Sequence, residues 1–273
     1  MKTDYDVVTI IEDNDDVHDN KVDNNFVKDS KKKSKPLQLQ LQKYYSEDNS
    51  VYEIGVDEAG RGPLFGRVYT AAVILPKDDS FEHNKMKDSK KFHSKKKIEE
   101  VANYIKEHAL AWHVSFEDER KIDEINILQA TQNCMHDSII NVRKQFISKI
   151  KKDNSMDDNS IDHNNYKFQL LIDGNYFNPV KIISSNKIEF IPHVCIEGGD
   201  NKYTSIAAAS ILAKVSRDNY IDELVKENPE LIEKYGIDSN KGYGAKKHID
   251  GIKQNGITKW HRKTFGICKN YFI

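Results

Sequence analysis

Residues 52–62 read Tyr52-Glu53-Ile54-Gly55-Val56-Asp57-Glu58-Ala59-Gly60-Arg61-Gly62, and their character changes abruptly along the way. Tyr52 to Val56 carries the aromatic and β-branched residues of a strand. Gly60 to Gly66 then offers glycines where the chain can turn, and Val68 to Leu75 resumes the strand pattern. The stretch predicts strand, glycine-rich turn, strand. Asp57 and Glu58 stand where the first strand gives way to the turn, the place where functional side chains gather in open α/β sheets. Neighbours on a regular strand face opposite ways, so both can serve one site only if the strand kinks or ends there.

Working outward, Ser94 to His108 has helical spacing and Ala109 to Phe116 reads as a third strand. Over Ile125 to Phe146, Leu128, Met135, Ile139, Val142 and Phe146 share one helical face. Phe168 to Ile172 and Glu189 to Val194 supply two more strands. Ser205 to Val215 is a helix dense in alanine (Ala207, Ala208, Ala209, Ala213), able to pack closely, and a basic helical part ends the chain. Strands and helices mixed in this order predict an α/β sheet covered by helices.

A chain of 273 residues with 38% hydrophobic content can bury one substantial core. Its 31% charged content and mean hydropathy of -0.72 leave part of it solvated. Residues 1–48 are assigned to a flexible low-complexity tail, 49–273 to one domain, and 149–165 to a surface insertion within it. Residues 1–29 hold nine acids against three lysines, a net of -6, which leaves +5 for the rest of a chain whose formal charge is -1. Lys241, Lys246, Lys247, Lys253, Lys259, Arg262 and Lys263 against Asp250 concentrate that excess, which suits either a phosphate-rich partner or a solvated helix face. Cys134, Cys195 and Cys268 are widely spaced and odd in number, which argues against a disulfide framework and a thiolate zinc site. With no stretch of ~20 apolar residues to span a membrane, the expectation is a soluble protein of the cytoplasm, or of the nucleus in a eukaryote.

Two further acids adjoin glycines. Asp173 closes Leu170-Leu171-Ile172 ahead of Gly174-Asn175, and Asp200 follows Gly198-Gly199 at a helix entrance. Taken singly, each has a plainer reading: Asp200 as a helix N-cap, Asp173-Gly174-Asn175 as a turn, Asp57-Glu58 as a solvated strand end. Brought together, four carboxylates repel one another unless cations neutralise them. Oxygen ligands without His or Cys favour two Mg²⁺ or Mn²⁺ ions over zinc, a pair suited to phosphodiester cleavage.

Gly55-Val56-Asp57-Glu58-Ala59-Gly60-Arg61-Gly62-Pro63-Leu64, Asp88-Ser89-Lys90-Lys91, Ile172-Asp173-Gly174-Asn175, Gly199-Asp200, Ala208 to Val215 with Arg217-Asp218, Lys241-Gly242-Tyr243-Gly244 and His261 to Gly266 follow one another in order. The series resembles the type 2 ribonuclease H family, in particular its HII branch, from about Val51 to Gly266. Two positions depart from the pattern: Arg67 stands where a proline is usual and Phe65 near where a small residue is. The resemblance implies a ribonuclease H-like mixed five-stranded sheet flanked by helices, with a helical C-terminal part beside the substrate groove.

It also implies roles. Asp57, Glu58, Asp173 and Asp200 match the family's metal-binding acids. Gly60, Arg61 and Gly62 match the loop that meets the ribose 2′-OH through its main chain, and Tyr243 the tyrosine that stacks beneath the nucleotide after that ribose. Lys90, Lys91, Lys202 and Lys214 are candidate phosphate contacts. The implied activity is endonucleolytic cleavage of the RNA strand of RNA-DNA hybrids, and 5′ of ribonucleotides within duplex DNA, by a monomer. The alternatives are a catalytically silent nucleic-acid-binding protein on the same scaffold and another two-metal nuclease of the superfamily. His248 and His261, lying in the basic stretch, are read as surface or phosphate-contacting residues rather than proton shuttles.

Overall fold

The computed structural model describes residues 40–153, 166–184 and 187–272; the tail before residue 40 and residues 154–165 of the insertion lie outside them. Strand β1 (Val51–Ala59) is the centre of a mixed five-stranded sheet. It pairs antiparallel with β2 (Val68–Ile74), which pairs antiparallel with β3 (Ala111–Glu117). On its other side β1 runs parallel to β4 (Lys167–Asp173). A separate hairpin of β5 (Lys181–Ser184) and β6 (Lys187–Phe190) precedes β7 (His193–Ile196), which completes the main sheet parallel to β4.

Helices cover both faces. Helix α1 (Lys95–His108) and helix α3 (Thr204–Glu227) pack through Ile98, Ile105, Ala207, Ala208 and Ile211 on Ala71 and Val73. Helix α2 (Glu119–Asp153) buries Met135, Ile139, Val142 and Phe146 on Ile54, Val56 and Ile172 of the opposite face. Beyond the sheet, α4 (Glu230–Tyr235), α5 (Ile237–Asn240) and α6 (Lys246–Asn255) close around Phe65, Ile221, Leu231 and Ile252. Helix α3 approaches β1 so closely at Gly55 that a Cβ there would lie 2.2 Å from the Ser205 carbonyl carbon, which only glycine tolerates.

Three sequence expectations are corrected. Helix α2 breaks at Asn126 (φ 69°), whose Oδ1 accepts from the Gln129 N–H and caps the second segment. Leu128 in that first turn is 37% exposed, and the buried face runs instead through Ala130, Cys134, Met135 and Ile139. The strand expected over Glu189 to Val194 divides at Pro192, which has no N–H for a ladder; β6 before it joins the hairpin and β7 after it joins the sheet. Residues 40–48, assigned to the tail, are tied to the domain. Gln42 accepts from Thr204 N–H (3.0 Å), a backbone cap for a helix whose Tyr203 supplies none, and the Glu53 carboxylate accepts from the Tyr45 and Ser46 N–H groups. Among the described residues no helix is long and apolar enough to cross a membrane.

Candidate active site at the open end of the sheet

Strands β1 and β4 run side by side as far as the Val56–Ile172 pair, so Asp57 and Asp173 are the next residues along. The turn after β7 carries Asp200, buried. Three acids thus come from the carboxyl ends of three adjacent parallel strands, beside the point where the next neighbour, β2, runs the other way. Strand β1 does not kink at Glu58, because its register with β2 continues to Ala59–Tyr69. Its ladder with β4 stops at Val56–Ile172. Past that pair one edge is open, and Asp57, Glu58 and Asp173 line one groove of about 430 Å³ together with Gly60, Arg61, Gly62, Lys90, Lys214 and Tyr243.

The carboxylates feel one another. Burial, then the charges of Glu58 and Asp173, push the Asp57 carboxyl well above the ordinary range. Burial also raises Glu58, with Arg61 opposing. Burial, then Asp173 and Asp88, raise Asp200, with Lys90 opposing. Each acid rests on its own donor: the Glu58 N–H donates to Asp57 Oδ1 (2.7 Å), Arg61 Nη1 to Glu58 Oε1 (3.1 Å), the Gly199 N–H to Asp173 Oδ1 (2.6 Å) and Asn201 Nδ2 to Asp200 Oδ1 (3.1 Å). Among the described residues no three acidic, histidine or cysteine side chains converge closely enough to hold an ion. The donor chemistry, hard oxygens under mutual repulsion, fits a divalent cation, which has to compete with those local donors.

The glycine turn and the tyrosine meet. A Cβ on Gly62 would lie 3.6 Å from the Tyr243 ring, while Gly60 (φ 92°) has no room for one, since it would come within 2.2 Å of Arg217 Nε. Lys90 and Lys214 line the groove, Lys214 paired with Asp218 at 2.8 Å. Lys91, bonded to Asn201, and Lys202, whose carbonyl accepts from Gln42, lie outside the lining.

The sequence model of ribonuclease HII matches residues 54–268. The chain belongs to the ribonuclease HII family. Ribonuclease HII of Bacteroides thetaiotaomicron is 41% identical over 222 residues, 81% of this chain and 92% of that protein. The crystal structure of ribonuclease H2 from Pyrococcus horikoshii has a TM-score of 0.53 at 20% identity, covering 80% of this chain and 96% of that one. A Bst-RNase HIII solved in complex with Mn²⁺ has a TM-score of 0.51 at 14% identity, covering 76% and 70%. Both confirm the ribonuclease H-like fold, and family membership makes the chain a ribonuclease H.

The residues behind the loop are ones that no local sequence pattern marks as part of the site. Arg217 and Arg262 are buried among backbone carbonyls, and Arg217 donates to the Lys241 carbonyl at 2.8 Å. His248 and His261, expected at the surface, are 0% and 1% exposed. The Thr258 N–H donates to His261 Nδ1 (2.9 Å), so His261 carries its proton on Nε2 and donates it to His248 Nε2 (3.1 Å). That leaves His248 Nδ1–H to donate to the Tyr243 carbonyl (2.8 Å), fixing the backbone of the groove tyrosine. Burial lowers both histidines, His261 to about 3. A signal was available: His248, Gly251 and Ile252, three and four apart on α6, are its buried face. The two departures also find their place, Phe65 in the C-terminal core edge-on to His261, and Arg67 between the Phe116 and Tyr220 rings.

Proposed function

We propose that the protein cuts the RNA strand of RNA-DNA hybrids and incises 5′ of ribonucleotides embedded in duplex DNA, leaving 3′-hydroxyl and 5′-phosphate ends. The observation that carries this reading is one groove with two walls: mutually repelling carboxylates on one side, a bare glycine turn against a tyrosine on the other. Asp57, Glu58, Asp173 and Asp200 are the residues to hold two Mg²⁺ or Mn²⁺ ions, and the Mn²⁺ complex of the HIII neighbour supports that choice. Such ions, when bound, supply the charge that activates water and stabilises the departing oxygen. Main-chain groups of Gly60, Arg61 and Gly62 meet the 2′-OH, the group that separates RNA from DNA. Tyr243 stacks beneath the following nucleotide, and Lys90 and Lys214 contact phosphates. Lys91 and Lys202 reach only a duplex that extends past the groove. The protein acts as a cytoplasmic monomer.

The test is cleavage of three labelled duplexes, RNA-DNA hybrid, DNA with one ribonucleotide, and all-DNA, with Mg²⁺, Mn²⁺ or EDTA. The first two are cut, the third is not, and Asp57→Asn loses about a thousandfold or more in rate, roughly 4 kcal/mol of barrier. Equal cutting of all-DNA duplex points to another nuclease of the superfamily; binding without cutting by the parent points to a silent nucleic-acid-binding protein. Either outcome removes the proposal, as does cutting by Asp57→Asn at the parent's rate.

A further inference from the structure

Arg262 is 0% exposed, and its guanidinium lies beneath a turn some two hundred residues earlier in the chain. Its Nη2 donates to the Gly60 carbonyl (2.6 Å), its Nη1 to those of Arg61 (3.0 Å) and Pro63 (2.9 Å), and its Nε to that of Gly66 (2.8 Å). Its backbone N–H donates to the Leu64 carbonyl (2.8 Å). Arg217 Nη2 reaches the Phe65 carbonyl at 3.4 Å. From 60 to 66, the carbonyl of Gly62 alone is outside this set of bonds, and Gly62 is the residue that faces the Tyr243 ring.

Turning carbonyls inward has a consequence on the other side. A trans peptide sets its N–H opposite its C=O, so inward carbonyls at Gly60 and Arg61 aim the N–H groups of Arg61 and Gly62 away from Arg262, toward the groove that both residues line. We propose that Arg262 is a positioning residue: it dictates which way the Gly60–Gly62 peptides face, and thereby the preference for ribose over deoxyribose. The inference rests on the proposed function and deepens it. Only arginine suits the task, because it offers five donors in a rigid planar fork, whereas lysine offers three from a single point. Burial and the neighbouring Arg217 charge lower Arg262 to about 9, which leaves it charged at neutral pH.

The test measures binding in EDTA, where nothing is cut, of a duplex with one ribonucleotide and of its all-DNA twin, for the parent and for Arg262→Lys. In the folded variant the preference for the ribonucleotide duplex falls by about tenfold or more, the equivalent of one good hydrogen bond, while affinity for the all-DNA twin stays within about twofold. A role in folding alone lowers the melting temperature and leaves the preference intact, and a folded variant with the parent's preference overturns the proposal. Should Arg262→Lys not fold, the parent decides. Its Arg262 guanidinium protons are expected to be protected from solvent exchange and to shift in nitrogen-15 spectra on binding the ribonucleotide duplex but not its twin. Exchange at the solvent rate, or equal shifts with both duplexes, overturns the proposal. A parent without ribose preference overturns both this inference and the proposed function; a preference that survives in Arg262→Lys overturns this inference alone.

Discussion

The two walls of the groove follow opposite electrostatic plans. On the strand side, burial and like charge raise Asp57 and Asp200, and each acid rests on whatever donor lies nearest. On the loop side, Arg262 and Arg217 bury positive charge among inward-facing carbonyls, so the chain satisfies itself. The first arrangement opposes folding through buried like charge; the second supports folding through bonds the chain makes to itself. The proposed function accounts for the difference: a surface that is to tell one hydroxyl from none has to be preorganised, whereas a site that is to capture ions gains affinity from a charge cluster left unrelieved.

The contrast breaks first at Arg262. Replacing it by methionine leaves the carbonyls of Gly60, Arg61, Pro63 and Gly66 buried without their donors. A buried polar group without a partner costs about 1–3 kcal/mol; because such losses do not add fully, a drop of about 5 kcal/mol in unfolding free energy is expected in urea titrations. A drop below about 1 kcal/mol would mean that the loop holds its own shape and that the walls do not differ in kind.

A smaller effect comes from pH, again on the loop side. His261 is lowered from 6.5 to about 3 in the folded chain, by burial and then by His248, with Tyr235 and Phe65 packed against its ring. The folded state therefore binds fewer protons than the unfolded one, and the stability this histidine contributes is complete above pH 6.5 and lost as pH falls toward 3. The gap in unfolding free energy between the parent and His261→Gln should narrow by about 1.4 kcal/mol for each pH unit below 6.5. A gap that is flat between pH 7 and 4.5 would show that the histidine chain ending on Tyr243 does not depend on neutral imidazoles.

The strand side was the legible half of the molecule. Asp57 and Asp173 announce themselves because strand ends and glycines are local patterns, and the fold follows from the short runs of apolar and β-branched residues that mark β1, β2 and β4 as buried strands. What the sequence withheld depends on distant partners. Arg262 in a run of cations reads as solvated because nothing near it reveals a turn two hundred residues away. The hairpin β5–β6 hid behind Pro192, since a broken strand does not say which sheet each half will join. Asn126 was readable in hindsight, as asparagine tolerates positive φ and caps helices. Lys202 lies outside the groove lining, and the contact it makes with the rest of the domain is through its backbone carbonyl, which accepts from the Gln42 N–H, a pairing between distant segments that no local pattern announces.

The smallest effect, and the one that sharpens the comparison most, is the sign of a stability change on the strand side. Asp57 is buried beside Glu58 and Asp173, and its carboxylate accepts from the next residue's N–H and from the Ser210 hydroxyl, two bonds that an asparagine oxygen can still accept. Asparagine keeps the shape and an acceptor oxygen but removes the charge, so Asp57→Asn should be more stable than the parent in EDTA by about 1 kcal/mol, even as activity disappears. Millimolar Mg²⁺ should reverse the order, because ions that bind only the folded state stabilise the parent through a carboxylate the variant lacks. Thermal unfolding of both proteins with EDTA and with Mg²⁺ gives the four values required. If Asp57→Asn is the less stable protein in EDTA, the acids are not opposing folding, and the strand wall is as self-satisfied as the loop wall. If Mg²⁺ raises both melting temperatures equally, Asp57 is not among the ligands.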